Sequence, residues 1–161
     1  MMQGLHSFHP DHYGYHHLAQ DADERRLAQK MFDKARAVAQ RRALWARLTG
    51  QPRAMRPLAA DTGTLRYRGV QTVRLADIIG TENRSREFDS EFYPLAEHIE
   101  QRWLSVAIAR LKQVTLPPVI LIRAADGYYV RDGHHRLSVA RLLGQMDIEA
   151  EVLVLAADRA A

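Results

Sequence analysis

Hydrophobic positions along this chain fall into two rhythms. Between Asp21 and Leu48, the residues Leu27, Met31, Ala35, Val38, Trp45 and Leu48 recur near one helical stripe, interrupted at Arg42. Asp21 followed three residues later by Glu24 is a capping-box variant that predicts the helix start, and Gly50 and Pro52 predict its end. Residues 1–20 are expected to be irregular and residues 51–64, with two prolines and a glycine, to form a linker. A second helical rhythm runs through Leu95, Ile99, Trp103, Val106 and Leu111, widened by Leu104 and Ile108. Ser90 is its expected cap, and Pro94 falls in its first turn. A helix apolar over that arc is core, so Trp103 reads as packing and not as a platform for bases.

The other rhythm is that of strands. Val70, Thr72, Val73 and Leu75 predict a strand over residues 65–75, followed by a turn or single helical turn over residues 76–80. The β-branched run Val119-Ile120-Leu121-Ile122 predicts a buried strand, which Asp126-Gly127 turns into a hairpin with residues 128–131. A short helix from His135 to Leu143 stops at Gly144. Ile148, Ala150, Val152 and Val154 then alternate with Glu149 and Glu151 as a half-exposed last strand. The class is α+β: a small mixed sheet with flanking helices, preceded by a long N-terminal helix. Residues 1–64 read as a His-rich segment, basic helical arm and linker, and residues 65–161 as the compact domain.

Composition narrows the chemistry. With 161 residues, 47% hydrophobic and 26% charged, the chain has the make-up of an ordinary globular protein. The absence of cysteine excludes disulfides, thiolate metal sites and cysteine nucleophiles, and fits a cytoplasmic location. No apolar run approaches the ~18 residues of a membrane span, and no secretion signal is evident. The net charge of +4 is uneven: basic residues crowd the stretch between Arg25 and Arg47. That stretch could meet nucleic acid nonspecifically or remain a solvated helix face. His6, His9, His12, His16 and His17 lack the spacing of a dedicated metal site, and none is assigned.

The candidate site lies where the Tyr128–Arg131 strand breaks at Asp132-Gly133 and a helix begins with His134, His135 and Arg136. A glycine there permits close backbone approach, and a helix N-terminus offers unpaired N–H groups with partial positive charge. Two imidazoles and a guanidinium add donors for phosphate oxygens, and Ser138 adds a hydroxyl from the first turn. Arg84, Ser85 and Arg86, in the polar loop of residues 80–89, form the expected second wall. His134 is the candidate catalytic residue, as base or transient nucleophile.

The order of these features resembles the ParB/sulfiredoxin superfamily (the ParB N-terminal-like domain) over residues 70–154. It comprises a strand ending in Ile78-Ile79-Gly80, an arginine-bearing loop ending in Phe88-Asp89 and helices leading to Leu116-Pro117-Pro118-Val119. A hairpin then enters Asp132-Gly133-His134-His135-Arg136, and Ile148-Glu149-Ala150-Glu151-Val152 closes the domain. The resemblance implies nucleotide phosphates at the loop-to-helix element. ParB proteins bind CTP there, sulfiredoxins use ATP, and a related free-serine kinase uses ADP. Gly133, His135 and Arg136 match the sulfiredoxin pattern, with His134 in the place of its cysteine, and Arg84 or Arg86 resembles the arginine preceding a Phe in the ParB pocket. Without that cysteine, sulfinic-acid reduction by the sulfiredoxin route is excluded. Only residues 156–161 follow the last strand, so no operator-reading helix-turn-helix is expected.

The expected function is therefore binding of a nucleoside tri- or diphosphate, with or without Mg²⁺. Two alternatives stand beside it: a nucleotide-dependent phosphotransferase or hydrolase using the same site, and a DNA-binding or assembly protein acting through the basic helix. The long helix could also support a homodimer.

Overall fold

A computed structural model describes residues 11–50, 54–59, 64–84 and 86–156. The helix α1 (Asp11–Thr49) is followed by strands β1 (Arg56–Pro57) and β2 (Thr64–Arg74), a single 3₁₀ turn (Leu75–Asp77) and β3 (Ile78–Thr81). Then come α2 (Glu100–Leu111), the hairpin β4 (Val119–Arg123) and β5 (Tyr128–Asp132), α3 (His134–Leu142) and β6 (Asp147–Ala156). One six-stranded sheet has the order β1-β3-β5-β4-β6-β2. Its pairs β1–β3, β3–β5 and β4–β6 are parallel, whereas β4–β5 and β2–β6 are antiparallel. The architecture is the one expected, a mixed sheet with flanking helices and a long N-terminal helix.

Several local expectations are corrected. α1 begins at Asp11 rather than Asp21, because nothing in residues 11–20 but Gly14 opposes a helix, and one glycine costs only about 1 kcal/mol. Asp21 and Glu24 do not cap it; both carboxylates reach Lys112 beyond the end of α2. The stripe that α1 buries is Ala28, Phe32, Ala35, Ala39 and Ala43, whereas Leu27, Trp45 and Leu48 are exposed. Small alanines let two helices approach closely, and Phe32 fills the remaining gap by packing on Trp103, ring centroids 5.3 Å apart. Residues 76–80 hold both the 3₁₀ turn and the start of β3. Within the expected linker, Arg56–Pro57 adds an edge strand, and Met55 enters the core shared by α1 and the sheet.

Ser90 does not cap α2, which starts ten residues later at Glu100. The intervening chain is organised by Asp89, a carboxylate only 1% exposed. Its Oδ1 accepts the backbone N–H groups of Glu91 and Tyr93, each at 2.9 Å. Its Oδ2 accepts Arg42 Nε at 2.9 Å. Phe92 takes φ = 67°, a left-handed conformation costly for a side chain with a Cβ. The bonds to Asp89 hold that turn and send Phe88 and Phe92 into the core. Arg42 thus interrupts the apolar pattern of α1 for a reason: it neutralises a buried charge.

Asp89→Ala is expected to lower the unfolding free energy by about 3 kcal/mol, since it removes two backbone acceptors and a buried ion pair. Asp89→Asn keeps an oxygen for the two N–H groups and should lose markedly less. Equal losses in denaturant titrations would contradict this account of the loop.

Candidate anion site

At the end of β5 the chain must leave the sheet and enter a helix within one residue. Gly133 does so at φ = 101°, where a side chain is strained. A Cβ there would also lie 2.6 Å from Val119 Cγ1 and 3.2 Å from Arg136 Nε, so both conformation and space require glycine. The first hydrogen bond of α3 runs from Leu137 N–H to Gly133 C=O at 3.0 Å, and no side chain among the described residues caps the helix. The N–H groups of His134, His135 and Arg136 therefore stand at the helix mouth ahead of the first intrahelical bond. They open onto a cavity of 250 Å³ lined by Arg84, Arg102, Val106 and residues 132–136.

Beneath the mouth is a buried polar hub, Thr81, the last residue of β3. Its Oγ1 accepts the backbone N–H groups of Asn83 (3.3 Å) and Arg84 (3.1 Å) and lies 2.8 Å from His134 Nε2. The hydroxyl proton has two acceptors in reach, the Val130 carbonyl at 3.4 Å and His134 Nε2 at 2.8 Å; with two donors already on the oxygen, the shorter contact takes it, which leaves His134 neutral with its hydrogen on Nδ1. The Phe88 ring stacks on His134 (centroids 6.0 Å, planes 21° apart) and meets His135 edge-on (5.5 Å, 82°). His134 is 2% and His135 9% exposed. Burial, reinforced by the positive charge of Arg84, pushes both imidazoles from 6.5 to about 4; His135 adds to the effect on His134, and Arg102 to that on His135.

Three further features set the electrostatics. Arg84 Nη1 donates to Glu87 Oε2 at 2.8 Å. Burial raises the Glu87 pKa, but hydrogen bonds from Arg84 and His98 hold it below the ordinary carboxylate value. Arg136 does not point its guanidinium freely outward. Its Nη1 donates to the carbonyls of Pro117 and Pro118, and its Nη2 to Asp132 Oδ2 at 2.6 Å. It thereby fastens the start of α3 to the chain entering β4, and it neutralises the one carboxylate lining the cavity. His135 Nε2 is buried and has no hydrogen-bond partner among the described residues. An unpaired ring nitrogen beside a cationic cavity is the kind of group that a ligand satisfies.

The structure brings Arg84, Asp132, Gly133, His134, His135 and Arg136 of the candidate residues to one cavity. Two others do not line it. Ser138 is fully buried, and its hydroxyl oxygen accepts Trp103 Nε1–H at 2.9 Å, which ties α3 to α2. Arg86 is exposed and does not line the cavity. Ser85 and the histidines at positions 6 and 9 lie outside the described residues, as do the side chains of His12, His16 and His17. Arg102 was missed. It stands on α2, lines the cavity and makes no salt bridge among the described residues. Its neighbour Trp103 marked that stretch as core, yet one residue around a helix is about 100°, enough to turn from core to cavity. Val106, one turn on, gives the wall its apolar part. Among the described residues no group of three or more His, Asp or Glu could hold a metal ion.

No family model matches the chain, and no curated protein matches it. Among solved structures it is similar to sulfiredoxin from Arabidopsis thaliana. That match is 18% identical in sequence, covers 53% of this chain and 84% of the other, and has a TM-score of 0.40. No helix among the described residues is long and apolar enough to cross a membrane.

The buried imidazoles imply a pH dependence. Their folded pKa values lie below that of an unfolded histidine, so between about pH 6.5 and 4 the unfolded chain binds more protons and stability falls as pH falls. The loss should be roughly 2–3 kcal/mol per imidazole across that window. Denaturant titrations at pH 7 and pH 5 should show it in the wild type. The double variant His134→Gln/His135→Gln should show a much flatter response. A wild-type stability unchanged between those two pH values would contradict the burial argument.

Proposed function

We propose that the cleft at the α3 N-terminus binds the phosphate chain of a nucleoside di- or triphosphate. The observation that carries the reading is the convergence on one cavity of helix N–H groups, two arginines (Arg84 and Arg102) beside the already neutral Arg136–Asp132 pair, and a buried imidazole nitrogen without a partner among the described residues. Helix N-termini favour anions through their exposed N–H groups and dipole, and planar guanidinium groups pair well with phosphate oxygens. At 250 Å³ the cavity falls just below the ~300 Å³ at which pockets take a whole small molecule. It suits a phosphate group or two, with the nucleoside extending outward. The nucleoside part of the proposal rests on the sequence pattern at Gly133, His135 and Arg136.

In this reading Arg102 and Arg84 are the ligand-facing cations. Arg136 is a positioning residue, because its donors are spent on Pro117, Pro118 and Asp132. His134 likewise shapes the site: its Nε2 is committed to Thr81.

Calorimetric titration with CTP, ATP and ADP, with and without Mg²⁺, tests the proposal. At least one nucleotide should bind, and Arg102→Ala and Arg84→Ala should each weaken binding about tenfold or more, near 1.4 kcal/mol. Arg86→Ala should leave affinity unchanged. An Arg102→Ala variant with wild-type affinity, or no binding of any of the three, would overturn it.

A further inference from the structure

α1 carries a second apolar stripe, exposed over most of its length. Starting at Leu27, the positions Met31, Lys34, Val38, Arg41, Trp45 and Leu48 follow at alternating steps of four and three, which is the heptad spacing of a coiled-coil seam sustained over three repeats. Lys30, Ala37 and Leu44 flank it along one side. At 3.6 residues per turn this seam stands roughly 130° around the helix from the buried alanine stripe. Of its apolar members Leu27 is 48%, Trp45 66% and Leu48 73% accessible, with Leu44 on the flank at 61%; Val38 is half-buried, and Met31 packs partly against the core. Every large apolar side chain exposed on the described part of α1 lies on this seam or its flank.

The charges on the seam are of one sign. Lys34 and Arg41 belong to it and Lys30 to its flank, and no Asp or Glu occupies a seam or flank position between Leu27 and Leu48. None of the three cations makes a salt bridge among the described residues; the pairs made by α1 use Arg26, Arg36, Arg42, Asp21, Asp23 and Glu24. A second copy of this helix would set cation against cation in a parallel pair and, in an antiparallel one, bury Lys34 and Arg41 against apolar side chains with no carboxylate to meet them. A bilayer surface is also a poor fit, because helices lying on lipid keep their cations on the flanks of the apolar face. Here Lys34 and Arg41 stand within it.

We infer that this face docks an acidic amphipathic helix of a partner protein. The partner would present apolar residues to Leu27, Val38, Trp45 and Leu48, and carboxylates to Lys34 and Arg41. Oppositely charged groups beside an apolar seam set both partner choice and register. The surface lies apart from the phosphate cleft and does not depend on it.

The test uses the full chain and two synthetic three-heptad peptides. Both carry leucine along the seam, one with glutamate and the other with lysine at the positions facing Lys34 and Arg41. Binding is read by peptide fluorescence anisotropy and by a blue shift of Trp45, the exposed one of the two tryptophans. The glutamate peptide should bind at least tenfold more tightly than the lysine peptide, and Lys34→Glu/Arg41→Glu should invert that order. Equal affinities, or an order that survives the charge reversal, would overturn the inference. So would a Trp45 shift produced by phosphatidylserine-containing vesicles but by neither peptide, or sedimentation showing a dimer that Trp45→Glu dissolves.

Discussion

The left-handed turn at Gly133 is the constraint on which the candidate site depends. It converts the end of β5 directly into α3, so that no capping side chain and no intervening loop comes between the last strand residue and the first helical N–H groups. A residue with a Cβ would be strained at that φ and would press on Val119 and Arg136 together. The helix mouth is therefore kept open by backbone geometry, and side chains from α2 and from the loop after β3 close around it. Arg136 then locks the handover in place from the far side through the two proline carbonyls.

Two buried contacts hold these elements in register. Trp103 donates to Ser138 and fixes α2 against α3, which places Arg102 and Val106 on the cavity wall. Thr81 bridges β3, the following loop and His134, which places Arg84 opposite. Phe88 sits beneath both imidazoles, and the loop that carries it is in turn fastened to α1 by Asp89 and Arg42. The long N-terminal helix thus supports the site at one remove, by holding the loop that floors it. The imidazoles are neutral parts of this floor because burial disfavours their charged forms, whereas the arginines supply the positive potential.

Much of this was legible in the sequence, and the failures have specific causes. The hairpin, β6 and α3 announced themselves through β-branched runs, Asp-Gly and the terminal glycine, signals that burial reinforced. The inner face of α1 did not, because alanines at 28, 35, 39 and 43 bury well against another helix yet weigh little in a hydrophobic pattern, while larger residues lie on the neighbouring stripe. The loop of residues 88–93 read as the start of a helix because a lone Asp89 gives no hint that it will be buried with three donors. Within the site, polar residues at the start of α3 were all read as facing a ligand. Ser138 instead satisfies an indole, Arg136 satisfies carbonyls and His134 satisfies a threonine. Those partners are distant in sequence, so only the fold reveals which donors remain free.

The most direct measurement of the central claim is a two-dimensional amide NMR titration of the whole chain with ATP, CTP and inorganic pyrophosphate. If phosphate oxygens sit at the mouth of α3, the backbone resonances of His134, His135 and Arg136 move saturably, with the side-chain signal of Arg102, and pyrophosphate moves the same amides as the nucleotides. If those amides stay fixed while resonances of α1 shift instead, the cleft is not the anion site and the account is wrong.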